Sequence, residues 1–143
     1  MDIAQLIANR SAGEIISCDV SATMRDAIAV LASKRIGALP VMDAGRVVGI
    51  FSERDVIYRL ADEGDICLSR PLGEVMTAPP ITVDPRTNVL EGLSLMTRRR
   101  IRHLPVVENE QLVGFISIGD LVKSRLDEIQ HEAEAMREYI QTA

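Results

Sequence analysis

The sequence predicts an α/β (α+β) module made of two pseudo-symmetric βαββα repeats, followed by a long C-terminal helix. Three observations carry this expectation. Shifted by 65 residues, Cys18–Tyr58 lies on Val83–Lys123 without a gap, with ten identities in 41 positions. Within each copy, short extended runs alternate with stretches whose apolar residues recur at helical spacing. Beyond Asp120 no glycine or proline interrupts the chain up to Ala143.

The elements follow in order. Ile3, Leu6 and Ile7 give the N-terminal segment a short apolar face. Ile15–Cys18 is extended and leads into a helix that Thr23 caps, with Met24, Ala27, Ile28 and Leu31 on its apolar side. Leu39–Met42 and Val47–Phe51 are strands, and Asp43-Ala44-Gly45-Arg46 between them has turn chemistry. A helix closes the copy from Ser52. Leu60–Pro80 reads as the connection, with a helical turn near Leu72–Met76. The second copy runs through Ile81–Val83, a helix bearing Val89, Leu93 and Met96 behind the cap Asn88, two strands around Glu108–Gln111, and a helix from Ser117. Pro40 and Pro105 are expected at the mouths of their strands. The resulting spans are 1–60 for the first repeat with its N-terminal helix, 61–79 for the connection, 80–123 for the second repeat and 124–143 for an amphipathic tail helix. A copy of ~60 residues buries little core alone, so the two are expected to pack face to face.

In the tail, Val122, Leu126, Ile129, Ala133, Met136 and Ile140 are spaced 4, 3, 4, 3, 4, an a/d heptad seam. Such a helix either lies on its own domain or packs against another subunit or a partner.

Composition narrows the function. A net charge of -5 disfavours nucleic-acid binding. The absence of Trp, with two Phe and two Tyr, removes the stacking platforms of single-strand binders. The basic run Arg98–Arg102 reads as a solvated helix end. No apolar run is long enough to span a bilayer and no secretory leader is visible, so the expected location is cytoplasmic, without a membrane role. Cys18 and Cys67 are isolated, which favours neither a disulfide framework nor a metal site. No catalytic motif is present, and an enzyme is not expected.

The recurring polar feature is G-x-x-S-x-x-D, at Gly49…Ser52…Asp55 and Gly114…Ser117…Asp120, each where a strand passes into a helix. One reading is a helix N-cap, with the serine accepting from an amide and the acid favouring the dipole. The other is a ligand site, since a helix start offers amides to an anion and an aspartate can accept from sugar hydroxyls. The two are compatible.

Leu-Pro-Val, two strands, then G-x-x-S-x-x-D, twice in one chain, together with Val75-Met76-Thr77 before Ile81-Thr82-Val83, resembles the CBS (cystathionine-beta-synthase) domain family. The resemblance covers nearly the whole chain. It implies a tandem pair, stand-alone in type, that binds AMP, ADP, ATP, NAD(H) or S-adenosylmethionine between its copies, with no metal. It further implies that Ser117 and Asp120, and in the first copy Ser52 and Asp55, meet phosphate and ribose. Thr82 and the Leu-Pro-Val segment containing Pro105 would hold the adenine. Arg102 and His103 precede that segment in the second copy where the first has Gly37 and Ala38. In the family, basic residues there reach the phosphates, so the second site is expected to be the better one. Arg54 is expected to serve phosphate from the opposite copy. CBS pairs commonly form homodimers. The expected function is a nucleotide sensor, AMP first among its ligands, acting on a separate effector protein. A protein-interaction adaptor with a vestigial cleft is the alternative.

Overall fold

The computed structural model describes residues 1–8 and 15–142. Residues 9–14, within the span given to the first repeat, and Ala143, the end of the expected tail helix, lie outside the described residues.

The chain runs α1 (Ile3–Ala8), β1 (Cys18–Asp19), α2 (Met24–Lys34), β2 (Ala38–Asp43), β3 (Arg46–Ser52) and α3 (Glu53–Glu63). A 3-10 helix (Gly64–Ser69), α4 (Leu72–Val75), α5 (Val89–Arg99), β4 (His103–Glu108), β5 (Gln111–Ser117) and α6 (Ile118–Thr142) follow. β1 pairs parallel with β2, which pairs antiparallel with β3; β4 and β5 repeat the hairpin. Both hairpins shift register at the same place, between Val41 and Met42 and between Val106 and Val107. The second copy's first strand is reduced to a parallel bridge, Val83 with Val106.

Local chemistry explains these elements. Thr23 and Asp26 form a capping box at the start of α2, and Asn88 accepts from the Leu90 amide at the start of α5. Ala44 and Gly45, at φ 51 and 84, and Asn109 and Glu110, at φ 51 and 64, make the left-handed pairs of type I′ hairpin turns. Arg35 and Arg100 end α2 and α5 in the left-handed conformation, a place usually held by glycine.

Three expectations change. Pro40 and Pro105 sit inside their strands, opposite Ile50 and Phe115, rather than at the mouths. The ladder tolerates Pro105 because the Val83 amide donates to its carbonyl, which proline keeps, at 3.1 Å. The connection starts later than Leu60, since α3 continues to Glu63 and the 3-10 helix buries Cys67. Most importantly, the halves do not share one core.

Two buried clusters form instead. Met24, Ala27, Leu31, Leu39, Val41 and Phe51 pack with Cys67, Leu72 and Val75. Val83, Val89, Met96, Leu104, Val106, Ile116 and Leu121 pack with Ile3 and Leu6. The N-terminal helix α1 therefore packs in the second half, and α4, which precedes the second half, packs in the first. The hydrogen bonds match pairwise. Ile3 and Ala4 donate to the carbonyls of Thr87 and Pro85, as Leu72 and Gly73 donate to those of Ala22 and Val20. Each small repeat thus gains core from the segment ahead of the other, which answers its shortage of buried surface.

The halves meet through β3 and β5. At the hairpin tips Arg46 Nη2 lies 2.8 Å from Glu110 Oε2. Both side chains are largely exposed, so this pair orients more than it stabilises.

Candidate functional site

β5 runs into α6 at Ser117. The Ser117 amide donates to Asp120 Oδ2 at 2.7 Å, and the Asp120 amide donates to Ser117 Oγ at 3.2 Å. The same box stands at Ser52, whose amide donates to Asp55 Oδ2 at 2.9 Å while the Asp55 amide donates to Ser52 Oγ at 3.4 Å. The capping reading of both motifs holds. It also presents a helix start, with its amide dipoles, to whatever lies before it.

His103 opposes Ser117 in the β4–β5 register, and the Ile118 amide donates to the Arg102 carbonyl at 2.8 Å. Arg102, His103, Ser117 and Asp120 are therefore gathered at one end of the second hairpin. The His103 ring stacks on Phe115, centroids 5.5 Å apart and planes 12° from parallel. His103 also faces the first half: a Cβ placed on Gly37 would lie 3.7 Å from His103 Cε1 and 3.4 Å from Glu53 Oε1. Burial pushes the His103 imidazole below its ordinary range; Asp120 and Glu53 oppose that shift and Arg102 reinforces it. Arg102 itself is exposed, whereas Pro105 is buried within β4.

Because burial makes the folded His103 bind a proton less readily than the unfolded chain does, the unfolded chain takes up that proton first as pH falls through about 6.5. Stability should therefore decline as pH drops below that point, and His103→Gln should flatten the decline. Urea titrations from pH 8 to 5.5 would read this, and an unchanged slope in the variant would rule it out.

Arg54 crosses to the second half, where its Nη1 donates to the Arg100 carbonyl at 3.2 Å. That carbonyl belongs to the left-handed cap of α5, so the guanidinium sits at a negative helix end. Thr82, one residue before the Val83–Val106 bridge, is exposed and lines a cleft of about 440 Å³ with Asp84, Thr87, Glu91, Arg98 and Val107. Two carboxylates against one guanidinium make that cleft a poor seat for phosphate.

In the first half, Thr77 Oγ1 donates to Asp55 Oδ1 at 2.9 Å, while Ser52 Oγ donates to Asp55 Oδ2 at 3.1 Å. Both oxygens of that carboxylate are engaged. Glu53, Phe115 and Thr77 were missed in the sequence. Phe115 carries a legible signal, as part of the second Gly-x-x-Ser run beside His103. Glu53 and Thr77 act across repeat boundaries, which no local pattern encodes. Among the described residues, no group of three His, Cys, Asp or Glu is placed to hold a metal ion, and no helix is long and apolar enough to cross a membrane.

The family model described as CBS domain matches this chain twice, at residues 7–62 and 72–127. The CBS domain-containing protein CBSX3, mitochondrial, of Arabidopsis thaliana is 33% identical over 145 residues, which cover 98% of this chain and 70% of that protein. A protein with CBS domains from Burkholderia ambifaria superposes with a TM-score of 0.82 at 36% identity, covering 89% of this chain and 95% of that one. CBSX2, solved in complex with AMP, superposes with a TM-score of 0.74 over 88% of this chain and 96% of its own. At 24% identity that likeness shows the fold alone.

Proposed function

This chain belongs to the CBS domain family, with two copies in tandem, and on that premise we propose that it is a regulatory, non-catalytic module that takes an adenosine nucleotide beside Arg102 and His103. The observation that carries the reading is the asymmetry of the two halves. The second gathers Arg102, His103, Ser117 and Asp120 at one helix start, whereas Gly37 and Ala38 stand opposite Ser52 and Asp55 in the first. A cationic guanidinium at the positive end of a helix suits an anionic phosphate, to which the neighbouring imidazole can donate a hydrogen bond. Asp120, at the same helix start, suits a ribose diol, and Arg54, whose Nη1 reaches the Arg100 carbonyl, would support the phosphate from the first half. AMP is the first ligand to test, because the related fold of CBSX2 holds it. ADP, ATP, NAD(H) and S-adenosylmethionine share the adenosine that Thr82 and Pro105 would face.

Nucleotide binding would act by linkage, shifting the pair toward the arrangement that binds it better, for a separate effector to read. Two copies of the chain would associate, since α3 buries none of its residues and leaves Ile57 and Leu60 63% and 39% exposed. The two cysteines are free thiols, in keeping with a reducing, cytoplasmic setting.

A thermal-shift series with each of these compounds tests the proposal. Ligand at about 100 times Kd should add roughly 2.7 kcal/mol, or on the order of 8 °C for a chain of this size. No shift with any adenosine compound would leave the adaptor reading in its place.

A further inference from the structure

Among the described residues, the seam of α6 is exposed. Leu121 and Ser124 are buried against the helix's own half, and Glu128 meets the N-terminal amine at 3.6 Å. Val122, Leu126, Ile129, Met136 and Ile140 are 42%, 60%, 44%, 60% and 66% exposed. At 100° per residue, the two faces lie roughly 130° apart around the helix. One face can therefore stay on its own half while the other meets a second helix. The tail is consequently neither wholly on its domain nor wholly detached from it: its first turns are docked, and the seam points away throughout.

Charge chooses the occupant. With Leu126, Ala133 and Ile140 at a and Val122, Ile129 and Met136 at d, the flanking g and e positions include Arg125, Gln130, Glu132 and Arg137. In a parallel, in-register pair, each g position faces the next e position of the other chain, so Glu132 meets Arg137 twice and Arg125 meets the neutral Gln130. In an antiparallel pair that overlaps the whole seam, Glu132 faces its own copy and Lys123 faces Arg137, and every charged pair is repulsive. Neither Glu132 nor Arg137 has an ion-pair partner within the chain among the described residues. We propose that the C-terminal helix α6 pairs with the same helix of a second copy as a parallel, in-register two-stranded coiled coil, joined along Val122–Ile140 and aligned by reciprocal Glu132–Arg137 pairs. This rests on the two-copy assembly put forward above, but places the contact that holds the two chains together on α6 rather than on α3 and gives its direction. The cost of nucleating the helix is already met, because its first turns are docked on the folded half.

The test uses the full chain in analytical ultracentrifugation with far-ultraviolet dichroism as a check on folding. Both substituted faces are solvent-exposed, so Ile129→Asp with Met136→Asp should keep the helical signal and convert a two-chain mass to one chain. Glu132→Lys or Arg137→Glu alone should weaken the dimer about tenfold or more, and the two together should restore it, since the swapped charges again attract. Met136→Cys should form an interchain disulfide on mild oxidation, which the wild type with only Cys18 and Cys67 should not; an antiparallel pair would hold the two new thiols far apart. A two-chain mass that survives the double Asp substitution would overturn the coiled coil while leaving a dimer through α3 standing. A wild-type chain that is monomeric at all concentrations would overturn both. Loss without rescue in the charge swap would overturn the parallel register.

Discussion

Asp120→Ala is expected to remove most of the nucleotide-induced rise in Tm, and Asp55→Ala to leave most of it in place. Each substitution deletes one half of a capping box, so each unliganded protein should lose about 1 kcal/mol. That common loss makes the ligand-dependent part the readout. In the first half, Asp55 already accepts from Thr77 Oγ1 at 2.9 Å and from Ser52 through both its amide and its hydroxyl. A ribose would have to displace the Thr77 bond. In the second half, Arg102 and His103 lead into the strand opposite Ser117, where the first half has Gly37 and Ala38 opposite Ser52. A charge-assisted bond to a sugar hydroxyl contributes roughly 1.5–3 kcal/mol, about 10- to 100-fold in Kd. Isothermal titration of both variants with AMP would measure it. Equal losses would refute the asymmetry, and full binding by Asp120→Ala would refute the site.

Gly49→Ala should be the more damaging of two matched glycine substitutions. A Cβ there would stand 2.5 Å from Met76 Sδ and 2.9 Å from the Thr77 carbonyl oxygen. The backbone cannot withdraw cheaply, because Thr77 is held to Ile50 by two hydrogen bonds of 2.9 and 3.0 Å. Overpacking of ~1–3 kcal/mol plus about 1 kcal/mol for a weakened bond points to roughly 3 kcal/mol lost. At Gly114, the same Cβ meets Ile7 Cδ1 at 2.8 Å, the far end of a side chain that can turn aside. There the loss should be about 1 kcal/mol. Urea midpoints for the two variants decide this; equal values would mean that the Met76–Thr77 strap is not held as described.

The same pair of glycines shows where legibility ends. Gly49 and Gly114 are visible in the sequence as repeat identities, and both open space for a crossing segment. Which segment crosses is not visible. Ile3–Ala8 corresponds to Leu72–Thr77 at an offset of 69 residues, whereas the rest of the repeat holds at 65. The ungapped comparison loses the match at that step, so α1 reads as part of the half it precedes. The caps at Thr23 and Asn88, the hairpin turns and the Ser–Asp boxes were all legible, because each is a contact between residues two to four apart. Arg54 on Arg100, Thr77 on Asp55 and Glu53 near His103 span 46, 22 and 50 residues, and local pattern carries no trace of them.

Periodicity, turn chemistry and the internal repeat by themselves determined two βαββα units, their order, the tail helix and the difference between Arg102-His103 and Gly37-Ala38. These are properties of short windows, where the spacing of apolar and polar residues dictates which face is buried. Tertiary structure alone decided that each repeat completes its core with the other's leading segment. It also decided that Asp55 is tied to Thr77, and that the heptad seam of α6 stays open. Those outcomes depend on which surfaces meet once the chain has folded back on itself, and burial of a small repeat's unsatisfied apolar face selects among them.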